Sequence, residues 1–198
     1  MINQVFDKVF LINLDRRTDR LAKCDDWFMK NGVEYERLSA CDGNAMQNGY
    51  DRKSSELGCK LSHVKALTIA EAQGYNRILI LEDDFDPVDN FMEKFELAWP
   101  HVPEWTQLYF GGNHQFRLSK VNDFVSSTRG TATTHAYAID RSIFHEVLNG
   151  AKSSEPIDTV YRVLHLHIKV YAFTPSLINQ SAGFSDIINQ DVNYDFMR

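Results

Sequence analysis

Short aliphatic runs recur along the chain, and several of them end in polar or acidic side chains. Residues 78–81 are uninterrupted aliphatics, flanked by Arg77 and by the carboxylates of Glu82, Asp83 and Asp84. Such a run is typical of a strand that is buried on both faces, as in the middle of a parallel sheet. Residues 8–15 have the same pattern and end at Asn13, Leu14 and Asp15. The pattern predicts two central strands with polar carboxyl ends.

Helical spacing follows the first of these strands. Leu21, Cys24 and Phe28 recur at helical intervals, Thr18 is suited to cap the helix, and Gly32 is suited to end it. Residues 33–38 alternate weakly and predict the second strand of a βαβ unit. Residues 39–53 contain turn residues and little apolar content, which predicts a long and functional loop.

A longer helix is predicted from Ser54 or Ser55 to Gly74. We expect its apolar face to pack on the sheet, and this face is formed by residues at helical spacing: Leu57, Leu61, Val64 and Leu67. The opposite face carries small side chains and would allow a ligand to approach closely, with His63 and Lys65 at its border; its members are Gly58, Cys59 and Ser62. For His63 the alternative is a partly buried histidine that bonds to a backbone carbonyl.

The second half of the chain continues the alternation of strands and helices. The predicted strands are residues 108–110, 121–127 (a weak strand or a loop), 131–139 and 169–173. The predicted helices are one capped by Asp89 and ended by Pro100, one at residues 141–148, and one whose first turn contains Pro156. We therefore expect an α/β fold with a Rossmann-like, mostly parallel central sheet flanked by helices.

Composition limits the class of protein. The 198 residues are 43% hydrophobic, enough for one well-buried domain over residues 1–198. The formal charge of −6 argues against a general binder of nucleic acid or anionic membranes. Three widely spaced cysteines, the lack of a signal-type start and the lack of a run of membrane-spanning length predict a reduced, cytoplasmic protein.

The acidic triplet after residues 78–81 is the first candidate for chemistry. Glu82, Asp83 and Asp84 would repel one another at the end of a buried strand unless a cation lay among them, and hard divalent cations prefer oxygen ligands. The alternative is a solvated turn, because Asp86-Pro87 just beyond is typical of turns. The stretch alone leaves both interpretations open.

Three arginines crowd the junction between the first strand and its helix. Arg16, Arg17 and Arg20 would offer guanidinium groups beside a helix N-terminus, an arrangement suited to phosphate oxygens. The alternative is a solvated helix start in which these arginines pair with Asp15 and Asp19. Near the C-terminal end, Asp158 lies close to the start of a predicted helix and is either a capping carboxylate or a general base.

An ordered set of motifs resembles glycosyltransferase family 25, which contains the lipooligosaccharide and procollagen β-galactosyltransferases. The motifs, which span nearly the whole chain, are residues 9–17 (VFLINLDRR) with Arg20, 39–43 (SACDG), 56–63 (ELGCKLSH), 81–84 (LEDD), 134–139 (THAYAI), 156–158 (PID), 175–180 (PSLINQ) and 185–187 (SDI). The acidic motif is Glu82-Asp83-Asp84 and so departs from a literal Asp-x-Asp, although the longer side chain of Glu82 can still bind a metal ion.

The resemblance implies a GT-A type fold and an inverting transfer of galactose or another hexose from a UDP-sugar, with Mn²⁺ or Mg²⁺ as cofactor. It implies a nucleotide-sugar-binding half at residues 1–85 and an acceptor-side half at residues 86–198, where the short region 90–131 leaves the acceptor unidentified: a glycan, a lipooligosaccharide or another hydroxyl compound. The implied residues are Glu82 and Asp84 for metal, Asp158 as base, and for the donor Asn13, Leu14, Arg16, Arg20, Ser62, His63, Asp83 and Gln180.

Three other functions remain open from the sequence. A metal-dependent phosphohydrolase also needs carboxylates at a strand end, and a catalytically silent module would bind sugar nucleotides or glycans without turnover. A transferase acting on modified DNA bases would need a strongly basic face, which the acidic charge disfavours. Within the transferase interpretation the 39–53 loop is the candidate lid, and Glu155, Asp186 or His63 are the alternatives to Asp158 as base.

Overall fold

A computed structural model describes residues 1–46 and 50–194 of the chain. The first half contains α1 (Ile2–Val5), β1 (Lys8–Asn13), α2 (Thr18–Asn31), β2 (Glu36–Ser39), α3 (Arg52–Gln73), β3 (Arg77–Glu82), β4 (Phe85–Pro87) and α4 (Phe91–Ala98). The second half contains β5 (Gln107–Tyr109), β6 (Ser119–Lys120), β7 (Val125–Ser127), β8 (Ala136–Asp140), α5 (Phe144–Gly150), α6 (Ile157–Leu164), β9 (Val170–Phe173), β10 (Ile178–Gln180), β11 (Gly183–Ser185) and β12 (Gln190–Val192).

Eight of these strands form one mixed sheet in the order β2-β1-β3-β8-β5-β9-β7-β6. The pairs β1/β2, β1/β3 and β5/β9 are parallel, whereas β8 is antiparallel to both of its neighbours and β7 to both of its own. Six strands therefore run in one direction, and β7 and β8 run in the other. The predicted α/β class and the mostly parallel sheet are confirmed.

The core lies on both faces of this sheet, because successive side chains of a strand point to opposite sides. Leu79 and Leu81 of β3 pack with side chains of α1, α2 and α4, whereas Ile78 and Ile80 pack with side chains of α3, α5 and α6. All four are buried, as predicted for a central strand. The rigid β1–β3 pair therefore fixes the positions of whatever follows its carboxyl end.

The first half of helix α3 buries a face other than the predicted one, although Leu67, farther along the predicted face, is fully buried in the core. Leu57 is 43% exposed, and Leu61 and Val64 are only partly buried, whereas the small-residue side is enclosed. A Cβ atom on Gly58 would lie 2.4 Å from the Cys41 carbonyl oxygen and 2.6 Å from the Gly43 amide nitrogen. The small residues are there because the backbone of the preceding loop approaches the helix closely, which the hydrophobic pattern alone does not reveal.

Two predicted helix caps are also wrong. Thr18 is the first residue of α2 and Arg17 precedes it without a capping side-chain bond. Asn90, with φ 56°, precedes α4 in place of Asp89 and makes no side-chain cap. Helix α3 begins at Arg52, earlier than predicted, because the Asp51 side chain accepts hydrogen bonds from the backbone and hydroxyl of Ser54.

Candidate active site

A cleft of about 430 Å³ opens at the carboxyl ends of β1 and β3. The cleft is lined by all the residues that the resemblance implied except Asn13, which is buried: Leu14, Arg16, Arg20, Ser62, His63, Glu82, Asp83, Asp84, Asp158 and Gln180. Arg17 and Glu155, which the sequence also suggested, do not line it. The fold thus brings together residues from both halves of the chain. Register explains much of this convergence, because Ile12 pairs with Glu82, and Leu81 pairs with Ala136 of β8.

Glu82 is held from two sides. Its Oε1 accepts hydrogen bonds from the Thr134 hydroxyl at 2.6 Å and from His63 Nε2 at 3.2 Å, and its backbone amide donates to the His135 carbonyl. Burial would raise the pKa of Glu82, but the hydrogen bonds from His63 and Thr134 lower it. Glu82 is therefore kept as an ionised acceptor at the cleft wall.

Asp83 points toward α2 and is engaged by the chain itself. Its Oδ2 accepts from Asn13 Nδ2 and its Oδ1 from Arg20 Nη1, both at 2.7 Å. Burial raises the pKa of Asp83 in spite of these partners. Asn13 is in turn fixed by Arg37, which donates to its Oδ1 at 2.9 Å. Asp83 and Asn13 therefore orient Arg20 rather than offering free ligand atoms.

Asp84 is the least satisfied carboxylate of the triplet. Strand β10 pairs with β4, which brings Gln180 close enough for its Nε2 to donate to Asp84 Oδ2 at 3.0 Å. The other oxygen, Oδ1, is buried without a hydrogen-bond partner among the described residues. Burial and, next, the charge of Glu82 raise the pKa of Asp84 to about 7. A cation would relieve both the missing partner and the repulsion.

These observations fit a hard divalent cation held by Glu82 and Asp84, the two predicted metal ligands. A second grouping lies nearby, since one ligand atom each of Cys59, His63 and Glu82 falls within 4.8 Å of the others. Burial raises the pKa of the Cys59 thiol, and both nitrogens of His63 already have hydrogen-bond partners. Carboxylate oxygens therefore match Mn²⁺ or Mg²⁺ better than this thiol and imidazole do.

The arginines next to β1 form one network with carboxylates. Asp186, just after β11, accepts from Arg16 at 2.8 Å through Oδ1 and from Arg17 at 2.6 Å through Oδ2. Arg16 also pairs with Asp42, and Arg17 with Asp19 as the solvated interpretation expected. The C-terminal hairpin β11–β12 therefore folds back over this junction, which no local sequence pattern indicated.

Arg20 lies deeper in the cleft than the other two arginines. In addition to its bond to Asp83, its Nη2 donates to the Phe184 carbonyl at 2.6 Å, and its Nη1 lies 3.7 Å from Asp84 Oδ2. Its guanidinium group thus bridges the acidic triplet and the C-terminal hairpin. Among the three arginines it is the one that contacts a carboxylate proposed to bind the cation, namely Asp84.

Ser62 and His63 contribute to the cleft from α3. The Ser62 hydroxyl donates to the Gly58 carbonyl and accepts from the Cys41 amide, so it attaches the loop to the helix. His63 is fully buried and contacts Glu82 and Tyr137, not the backbone carbonyl considered above. Any effect of His63 on a ligand would therefore pass through Glu82.

The loop proposed as a lid packs closely on α3 in its described part. A Cβ atom on Gly43 would lie 1.7 Å from the Ser54 carbonyl oxygen, so the backbones touch there. Residues 43–46 form a single 3₁₀ turn, and Asp42 and Asn44 line the cleft. The ends of the predicted loop belong to other elements, since Ser39 is the last residue of β2 and Arg52 and Lys53 begin α3, and residues 47–49 lie outside the described residues.

Asp158 lies in the first turn of α6. It is far from the acidic triplet in sequence but lines the same cleft. Its Oδ1 accepts from the adjacent Thr159 amide at 2.8 Å, but it does not cap the helix, since Pro156 is at the cap position and no side chain bonds there. Burial raises the pKa of Asp158 despite this bond and the charge of Arg162. The carboxyl group is thus anchored by the helix and made more basic than an exposed aspartate.

The sequence did not reveal which side chains support these groups. Thr134 and Tyr137 lie in a motif noted above, but nothing in their spacing indicated that Thr134 would bond to Glu82 or that Tyr137 would bond to His63. Nothing in the sequence indicated that the Tyr161 hydroxyl would bond to that of Tyr137. Such contacts depend on the pairing of β3 with β8 and on how α3 and α6 pack against that pair.

Comparison with known proteins decides the classification. The model of glycosyltransferase family 25, described as an LPS biosynthesis protein family, matches residues 6–161. The chain belongs to glycosyltransferase family 25. The predicted family is thereby confirmed, and the matched region contains the acidic triplet, the arginines and Asp158.

Relatives of this family member are much longer proteins. It is 26% identical over 129 residues to inactive glycosyltransferase 25 family member 3 of Mus musculus, covering 54% of this chain and 22% of that protein. It is 27% identical over 129 residues to procollagen galactosyltransferase 2 of Homo sapiens, covering 54% of this chain and 21% of that protein. The aligned region thus spans about a fifth of these curated relatives.

A solved structure of similar size shares the fold. The crystal structure of A197 from STIV aligns over 95% of this chain and 94% of its own, with a TM-score of 0.54 and 15% sequence identity. At that identity the likeness concerns the fold alone. Among the described residues of the family 25 chain, no helix is long and apolar enough to cross a membrane.

Proposed function

We propose that this chain is a metal-dependent, inverting glycosyltransferase that moves galactose or another hexose from a UDP-sugar to a hydroxyl group of a glycan or similar acceptor. One observation carries the proposal: a single cleft contains an under-satisfied carboxylate at Asp84, a guanidinium group at Arg20 and a second, more basic carboxylate at Asp158. These are the groups needed to hold a diphosphate and to activate an acceptor.

Donor binding would use the side of the cleft formed by β1, β3 and β10. Glu82 and Asp84 would hold Mn²⁺ or Mg²⁺, with Gln180 fixing the orientation of Asp84. Such a cation, when bound, neutralises the charge that develops on a leaving nucleoside diphosphate. Arg20, oriented by Asp83 and Asn13, adds a planar donor that suits phosphate oxygens. Leu14 and Arg16 line the same side and would contact the nucleotide portion.

Acceptor activation would use α6. Asp158 takes the proton from the attacking hydroxyl as the new bond to the anomeric carbon forms and the bond to the diphosphate breaks. Direct displacement from the face opposite the leaving group inverts the anomeric configuration. The carboxyl group has a raised pKa, which brings its basicity closer to what proton abstraction requires.

The relatives support this chemistry and also define the rival function. One curated relative is a procollagen galactosyltransferase, which favours galactose as the sugar, and the family description favours a lipopolysaccharide-type glycan acceptor. Another relative is named inactive, which favours a module that binds sugar nucleotides without turnover. The two functions differ in whether nucleotide is released.

Turnover with a panel of donors separates these functions. We would incubate the chain with UDP-sugars and Mn²⁺ and follow UDP release with and without hydroxyl acceptors. A transferase releases UDP faster when an acceptor is present, and a sugar-modified product appears in the mass spectrum. A phosphohydrolase releases nucleotide or phosphate equally without acceptor, and a silent module releases none although it binds the donor; either result would contradict the proposal.

A further inference from the structure

A continuous line of buried hydrogen bonds connects the acidic triplet to α6. His63 Nε2 lies 3.2 Å from Glu82 Oε1, and His63 Nδ1 lies 2.9 Å from the Tyr137 hydroxyl. The Tyr137 hydroxyl in turn lies 2.7 Å from the hydroxyl of Tyr161. His63, Tyr137 and Tyr161 are fully buried, so the line is shielded from water. Polar groups buried in this way stabilise one arrangement only if each finds its partner.

The Glu82 carboxylate, at one end of this line, determines which atom donates in each hydrogen bond. An ionised Glu82 accepts hydrogen bonds only, so the proton between it and His63 belongs to Nε2. A neutral imidazole with its proton on Nε2 accepts at Nδ1, where the Tyr137 hydroxyl then donates, and the Tyr161 hydroxyl donates to Tyr137. This order leaves none of the three donors without an acceptor among the described residues. The opposite order would leave the Tyr161 proton without an acceptor in the part of the chain that the structure describes.

We propose that Tyr161, Tyr137 and His63 form a relay that positions the Glu82 carboxylate for cation binding. With Thr134 and His63 both bonded to Oε1, the second oxygen of Glu82 is left for a ligand in the cleft. Ligands of metal sites are commonly oriented in this way by a second layer of hydrogen bonds. The inference rests on the proposed function in so far as a divalent cation is the ligand.

The relay also connects the two sides of the cleft. Tyr161 lies three residues after Asp158 on α6, so the two side chains occupy neighbouring positions on that helix. Its hydroxyl bond to Tyr137 ties α6 to β8, which pairs with β3, the strand that ends at Glu82. The carboxylate proposed to bind the cation and the carboxylate proposed to act as base are therefore held in one connected framework.

Replacement of Tyr137 by phenylalanine tests the relay, because it removes one hydroxyl at nearly constant shape. We expect the Tyr137→Phe variant to lose the fixed Nε2–H tautomer of His63, visible in the ¹⁵N shifts of its imidazole. We also expect the dissociation constant for Mn²⁺ in the presence of UDP, measured by electron paramagnetic resonance, to rise by roughly 10- to 100-fold. The Tyr161→Phe variant should change both quantities in the same direction but less.

Tyr109→Phe provides a matched control. Tyr109 is the cross-strand partner of Tyr137 and equally buried, but its hydroxyl bonds to Gln107 and His165 instead. Loss of the Tyr109 hydroxyl should leave the His63 tautomer and the Mn²⁺ affinity unchanged. Melting temperatures verify that all variants are folded. Equal Mn²⁺ affinities for Tyr137→Phe and Tyr109→Phe would overturn the relay, as would a wild-type His63 protonated at Nδ1.

Failure of the proposed function can be distinguished from failure of the relay. If the unaltered chain binds no Mn²⁺ with UDP, the metal dependence of the transferase proposal is wrong. The ¹⁵N spectra then decide the relay alone: a tautomer change confined to the Tyr137→Phe and Tyr161→Phe spectra supports it. Spectra that are the same for those variants and for Tyr109→Phe overturn it.

Discussion

The Asp84 carboxyl group lies where burial and the negative charge of Glu82 both disfavour its ionised form. The chain gives it one hydrogen bond, from Gln180, and leaves its other oxygen without a partner in the part of the chain described. An arrangement of this kind lowers the stability of the ligand-free protein. Strained or under-satisfied groups of this type concentrate at functional sites.

The first prediction concerns pH and the Asp84→Asn variant in cation-free solution. The folded protein releases the Asp84 proton near pH 7 and the unfolded chain near the ordinary value of 3.8, so the folded state binds more protons between them. The contribution of Asp84 to the free energy of unfolding therefore decreases as the pH rises from about 4 to about 7. Asp84→Asn should be more stable than wild type at about pH 8, by at most about 4 kcal/mol.

Denaturant unfolding at about pH 4 and about pH 8 measures this difference. The advantage of the variant should be present at the higher pH and disappear at the lower one. Mn²⁺ should stabilise the wild type and not the variant. An equal stability of the two proteins at both pH values would show that Asp84 is not under strain.

The second prediction concerns Arg20. Lysine at this position keeps the charge but cannot bond to Asp83 and the Phe184 carbonyl through two separate nitrogens. Arg20→Lys should weaken UDP-sugar binding by roughly 1 to 3 kcal/mol, measured by calorimetry. Arg77→Lys, at the opposite end of β3, is the matched control and should leave the affinity unchanged. An unaltered affinity for Arg20→Lys would make this arginine purely structural.

At the scale of elements, the contact between α3 and the loop before it shapes one wall of the cleft. The third prediction is that Gly58→Ala disturbs this wall, because its Cβ would meet the backbone of Cys41 and Gly43. We expect a loss of about 1 to 3 kcal/mol in the free energy of unfolding, with weaker donor binding. Leu57→Ala, on the exposed side of the same helix, serves as control. If Gly58→Ala is as stable as wild type, the close packing is not present in solution.

Helix α6 carries the fourth prediction. Asp158→Asn keeps an oxygen that can accept from the Thr159 amide, so the first turn of the helix should remain intact. Transfer should fall by roughly two to four orders of magnitude while donor affinity is nearly unchanged. Glu155→Gln, an exposed neighbour before the helix, should transfer normally. A normal transfer rate in Asp158→Asn would place the base elsewhere, with Asp186 as the next candidate.

The order and type of these elements follow from the sequence, whereas their contacts do not. The apolar run before Glu82 predicts a buried strand, because a strand covered on both faces needs an apolar side chain at every position. The buried face in the first half of α3 differs from the prediction, because a close backbone contact requires glycine and serine where hydrophobicity predicts leucine; Leu67 is buried as predicted. The same limit applies to Tyr161, whose apolar spacing does not indicate a hydroxyl partner on β8.

At the scale of the whole molecule, the cleft draws on segments that are far apart in sequence. Arg20, Asp84, Asp158 and Gln180 come from α2, the end of β3, α6 and β10. The resemblance to the family placed these residues in one site before any contact could be derived from the chain. The C-terminal hairpin that covers the arginines through Asp186 depends on long-range folding and has no local signal.

The central claim is that this cleft binds a nucleoside diphosphate sugar through a divalent cation. Calorimetric titration of UDP-galactose into wild type and Asp84→Asn, each with Mn²⁺ and with excess chelator, tests it most directly. The account predicts binding by the wild type with Mn²⁺, and a loss of most of that affinity in chelator or in Asp84→Asn. Full affinity of the wild type in excess chelator would contradict it.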